Sequence, residues 1–121
     1  MIDFASLIGR ILISAIFIAA GIQKVMGYDG TLGFMAIYGV YGQLLPVVIT
    51  LEVLGGVAIL LGLFSRWAAL ALGGFTVIAA FIFHRDFADP LQIAMFMKNL
   101  AISGGLLLLF ANGPGRYAVR D

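Results

Sequence analysis

The 121-residue chain contains no cysteine, one histidine, three prolines and one tryptophan. Without cysteine it forms no disulfide, runs no thiol redox chemistry and holds no thiolate-ligated metal. A single histidine cannot supply bis-histidine haem ligation or a closed zinc site. Charge is scarce as well. Seven Lys/Arg and six Asp/Glu make up 11% of the residues, where a soluble domain carries about 25%. That shortage excludes a soluble enzyme, a nucleic-acid binder and a large extramembrane domain.

What fills the chain is apolar: 63% of it is hydrophobic, against roughly 45–50% in a soluble domain. A bilayer span needs about 20 apolar residues, so four spans use about 80 and leave about 40 for ends and connections. The pattern predicts an all-α, integral membrane four-helix bundle forming one domain over 1–121, with helices at about 4–26, 44–64, 67–84 and 91–111. The first run is too long and too uniformly apolar for a cleaved signal peptide and is read as a retained helix. Residues 27–43 differ in character. Gly30, Gly33, Gly39 and Gly42 disfavour a long helix, Asp29 is placed to cap a short one, and Tyr28, Phe34, Tyr38 and Tyr41 suit headgroup depth. This stretch is expected to be a short interfacial or re-entrant segment between helices 1 and 2. Ser65-Arg66 is read as the tight connection between the second and third spans.

Four spans place both termini and the Arg66 turn on one side of the membrane. Arg10, Arg66, Arg116 and Arg120 lie there, against Lys24, Arg85 and Lys98 on the other, which favours cytoplasmic termini. Small residues spaced four apart, Ala15/Ala19, Ala69/Gly73 and Ala101/Gly105, mark faces where helices can approach closely.

Three charges resist explanation as solvated ends. Glu52 lies about eight residues into the second span, roughly 10–12 Å along its axis. Lys98 lies about seven residues into the fourth, entering from the same side, and Lys24 lies within a turn of where the first span leaves. The topology thereby delivers Gln23, Lys24, Glu52, His84, Arg85, Lys98 and Asn99 to one half of the bilayer. An unpaired charge there costs at least about 2.5–3.5 kcal/mol, so Glu52 is expected to face inward and pair with Lys98, Lys24 or both. Two readings follow: the pair fixes helix register, or the cluster lines a polar pocket. The number of converging polar groups favours the pocket.

His84 allows several roles. Met26, Met35, Met95 and Met97 share its side, and thioethers with an imidazole suit Cu(I), although methionines more often serve as flexible packing. No metal site is assigned. The imidazole of His84 is chemically suited to donate to a quinone carbonyl or relay protons; an ordinary interfacial histidine is an equal reading.

The order of fragments resembles the DoxX family of small four-helix bacterial membrane proteins. The resemblance rests on Phe17-xxx-Gly21-xx-Lys24, then Met26-Gly27-Tyr28-Asp29-Gly30-Thr31, Leu51-Glu52-Val53, Leu60-Leu61-Gly62, Phe96-Met97-Lys98-Asn99 and Gly113-Pro114-Gly115. It implies a multi-pass protein of the bacterial inner membrane and an accessory or quinone-interacting subunit of a membrane oxidoreductase system. A quinone is the cofactor it allows; a membrane protein partner or a second copy is the partner it suggests. No catalytic residue is carried over, and independent catalysis is not expected. The alternative is a non-catalytic structural or assembly subunit packed against a larger membrane complex.

Overall fold

The structure, a computed structural model, describes residues 2–84 and 86–119. It is all-α. Four helices are long and apolar enough to cross a membrane: α1 (Ile2–Met26), α3 (Leu45–Leu61, continuous with a 3-10 turn at Gly42–Leu44), α4 (Ser65–Phe83) and α5 (Pro90–Asn112). A short helix, α2 (Tyr28–Ile37), lies between α1 and α3. Only 17–22% of the most apolar window of each long helix is buried in the protein, so most of the apolar surface is left for lipid.

Local chemistry sets the ends. Asp89 caps α5 by accepting the Leu91 N–H at 3.0 Å, and Pro90 occupies the first turn, where its missing N–H costs nothing. The apolar pattern running through Leu63 and Phe64 predicts a second span reaching 64, but α3 ends at Leu61. Gly62 takes the left-handed conformation (φ 72°), and the Leu63 N–H returns to the Ala58 carbonyl. The turn is therefore 62–64, and Ser65 and Arg66 open α4 instead of forming the connection. Asp29 does not cap α2: the N-cap is Gly27, and Asp29 sits in the first turn, where a negative charge still complements the helix dipole.

The helices associate as two tight pairs, α1 with α3 and α4 with α5; α3 also packs on α4, with Gly55 against Leu72, and α1 and α5 touch sparsely. Glycine sets the first pairing. A Cβ at Gly21 would collide with Val53, and one at Gly56 would lie 2.7 Å from Ile18 and 3.3 Å from the Ser14 carbonyl. The second pair is tied by Ser103, which donates to the Gly73 carbonyl at 3.3 Å. Of the small-residue pairs read from sequence, Ala69 is fully buried, whereas Ala15, Ala19 and Ala101 are exposed.

Buried apolar side chains concentrate towards the end that carries the 62–64 turn. Ile59, Ala69, Leu72, Leu106 and Leu109 form the core there, with Phe17 above them. Arg10 secures this end. Counted from sequence as a terminal cation, it is instead 2% exposed, and its guanidinium donates to the Ile59 and Leu60 carbonyls at 3.0 Å each and to Tyr117. Those α3 carbonyls belong to the last helical turn, where regular donors run out; the Ile59 carbonyl also accepts the Gly62 N–H at 3.2 Å. Arg10 thus supplies both hydrogen bonds and positive charge to the negative end of the helix. The chain after α5 folds back over the same place, with the Val119 N–H on the Leu61 carbonyl and the Arg116 N–H on Asp3.

Candidate functional site

The half of the bundle away from Arg10 is not filled. The two helix pairs enclose a cavity of about 500 Å³, within the range of small-molecule sites. Its walls come from α1 (Phe17, Ala20, Lys24), α3 (Val48, Leu51, Glu52), α4 (Phe75, Ala79, Phe83) and α5 (Met95, Asn99, Ile102). α2 covers one end through Thr31, Phe34 and Met35. An aromatic cluster holds α2 in place: Phe34 stacks on Phe83 with centroids 5.3 Å apart, and Tyr38 meets the same ring edge-on at 5.1 Å. That packing outweighs the glycine content that disfavours helix in this segment.

The polar wall is built around one ion pair. Lys24 Nζ lies 2.8 Å from Glu52 Oε1; the Glu52 side chain is 5% exposed and that of Lys24 28%. Lys24 occupies the last turn of α1, where a cation also complements the helix dipole. Gly21, one turn earlier, brings α1 close enough to α3 for the pair to form: a Cβ there would press on Val53 and on the Glu52 Cβ.

The remaining candidates divide. His84 and Asn99 line the same cavity as Lys24 and Glu52. Lys98 does not: it is exposed, and Glu52 pairs with Lys24. Consecutive residues on an α-helix point about 100° apart, so with Asn99 turned into the cavity Lys98 is directed away. Gln23 is exposed for the same reason beside Lys24. Arg85 lies outside the described residues. Of the four methionines, Met35 and Met95 line the cavity, while Met26 and Met97 are exposed and do not. Among the described residues no three His, Cys, Asp or Glu side chains are grouped to hold a metal ion.

Two groups escaped the sequence reading. Gln92 faces His84, with Oε1 3.3 Å from Nδ1. With that amide orientation the Nδ1–H donates to Gln92 Oε1, so this face of the ring is committed to Gln92. The donors offered to a carbonyl are then the Lys24 ammonium and the Asn99 amide. Thr76 also lines the cavity, but its hydroxyl is already committed to the Leu72 carbonyl at 2.7 Å. The site is thus an apolar chamber with a neutralised ion pair and a few donors. It is fitted to an uncharged apolar molecule carrying a hydrogen-bond acceptor.

Comparison with known proteins bears on the whole chain. The DoxX family model matches residues 5–85. Inner membrane protein YqjF of Escherichia coli (strain K12) is 50% identical over 117 residues, covering 97% of this chain and 90% of that protein. Inner membrane protein YphA of the same organism is 38% identical over 121 residues, covering 93% of this chain and 86% of its own length. No solved structure matches the chain.

Proposed function

The chain belongs to the DoxX family, and from that premise we propose that it is an inner-membrane accessory subunit that binds a quinone for a membrane oxidoreductase system. The observation that carries this reading is the Lys24–Glu52 pair set in the wall of an otherwise apolar cavity of about 500 Å³. A quinone ring is flat, uncharged and carbonyl-bearing, which matches an apolar chamber with one ammonium donor. Lys24 and Asn99 donate to the carbonyls, Glu52 holds Lys24 in place, and His84 relays protons at the margin. The chain supplies binding and proton management; the electron donor or acceptor belongs to a partner. With Arg10 and the ion-paired Lys24 both removed from the count of loop cations, Arg66, Arg116 and Arg120 outnumber Arg85 and Lys98 and favour cytoplasmic termini, which puts the cavity in the periplasmic half.

Mass spectrometry of quinones co-purifying with the protein from native membranes tests the proposal. The wild type should retain quinone, and Lys24→Met and Glu52→Gln should lose it. Absence of quinone from the wild type would refute it. A second reading, an assembly subunit, draws on Ala15, Ala19 and Ala101, small residues left exposed on α1 and α5. A stable co-purifying protein complex without quinone would favour that reading.

A further inference from the structure

We infer that the cavity is loaded from within the bilayer, through the gap between α3 and α4, and that it selects a ligand with a neutral head and a long apolar tail lying in that gap. This deepens the quinone reading and rests on it.

The two flanks of the cavity differ in chemistry. Between α1 and α5 the walls carry Lys24 and Asn99 among the apolar Ile16, Ala20 and Ile102, and Ile13 packs on Gly105 further towards the Arg10 end. α3 and α4 also contribute Glu52, which pairs with Lys24 of α1, and Thr76, whose hydroxyl donates within its own helix; the rest of their wall, with Val47, Val48, Leu51, Phe75, Ile78 and Ile82, is apolar. Val47 and Ile78 line the cavity and yet are 61% and 60% exposed, so at these residues the cavity wall is also the outer surface of the protein. Their level follows from the antiparallel register. Gly55 sits against Leu72, which sets Val47 opposite Ala80, about 3 Å along the axis from Ile78. Ile78 lies five residues before the end of α4, about 7.5 Å along its axis, so the gap faces acyl chains and not water. The α2 aromatic cluster of Phe34, Tyr38 and Phe83 covers the end of the chamber instead.

The head group follows from charge. Lys24 and Glu52 neutralise each other, so an ionised head would leave one net charge in a low-dielectric wall, which a neutral acceptor avoids. The polar flank therefore takes the head, and the apolar gap takes the tail.

Full-length protein in nanodiscs, titrated with a decyl-tailed benzoquinone and with its tailless parent ring, provides the test. Val47→Trp and Ile78→Trp should each weaken the decyl compound by about tenfold through overpacking of the gap, while the parent ring binds as in the wild type. Ile16→Trp, at a cavity-lining residue of the α1 flank that is itself 43% exposed, should weaken the decyl compound less than either gap variant. The doubly truncated Val47→Ala/Ile78→Ala widens the gap and should speed uptake, a readout that survives should the tryptophan variants misfold. Unchanged uptake in the truncated variant, or a greater loss at Ile16→Trp than at Val47→Trp and Ile78→Trp, would overturn the lateral route while leaving the binding site intact. Failure of the wild type to bind either compound would overturn the quinone reading and the route with it.

Discussion

Replacing Lys24 by Met leaves Glu52 at 5% side-chain exposure with its ion-pair partner gone. Breaking a buried pair costs about 3–5 kcal/mol, but a carboxylate has an escape, since it can take up a proton. The cost of that escape sets a ceiling. At pH 7 the solution lies about 2.7 units above an ordinary glutamate's midpoint, which at about 1.36 kcal/mol per unit comes to roughly 3.7 kcal/mol. Lys24→Met should therefore lose up to about 3.7 kcal/mol at neutral pH. The loss should shrink to about 1 kcal/mol at pH 5, because a folded state that binds the extra proton gains stability as pH falls. The complementary Glu52→Gln strands a lysine that is 28% exposed, on a stem long enough to reach water, so its loss should be smaller, about 1 kcal/mol. The double variant Lys24→Met/Glu52→Gln, with no buried charge left, should recover most of the difference. Reversible unfolding in mixed micelles at several pH values measures all three. A Lys24→Met loss independent of pH, or a Glu52→Gln loss exceeding it, would show that the asymmetry of burial does not govern this pair.

Other perturbations separate framework from site. Arg10→Met removes the donor from the Ile59, Leu60 and Tyr117 carbonyls and should cost about 3 kcal/mol or more, with faster hydrogen exchange over 113–119 and quinone retention lost only in proportion to unfolding. Gly62→Ala forces a Cβ into the left-handed conformation (φ 72°) and against Ala118, so it should destabilise by at least about 1–2 kcal/mol in the same unfolding assay. Lys98→Met alters an exposed side chain outside the cavity and should change stability by no more than about 0.5 kcal/mol, with quinone retention intact.

Much of the architecture could be read from sequence because bilayer thickness imposes a length on every apolar run. The four spans appear where the runs fall. Their ends are less visible: Leu63 and Phe64 extend the second run by hydropathy, while the left-handed Gly62 has already stopped the helix. Pattern reports apolarity, and this turn is as apolar as a helix. The ion pair could also be anticipated, because charges at comparable depth in a thin apolar slab must find one another. What depth cannot resolve is azimuth. Lys98 and Asn99 differ by one residue and about 100°, and only packing decides which of them faces the cavity. Arg10 illustrates a different lapse. It stands eight residues into α1, as deep from its end as Glu52 is from the other, yet it was counted with the loop cations. Depth reckoned from both ends of each span would have marked it as buried. The aromatic contacts that keep α2 helical despite its glycines join residues about fifty apart in sequence and leave no local trace.

Photolabelling tests the central claim most directly. An azido-benzoquinone carrying a short apolar tail, activated in nanodiscs holding the wild-type protein, should label peptides containing Lys24, Glu52 or Asn99, and an excess of unmodified quinone should suppress that label. Labelling confined to residues outside the cavity, such as Trp67 or Met97, and insensitive to competition would contradict a quinone site between the two helix pairs.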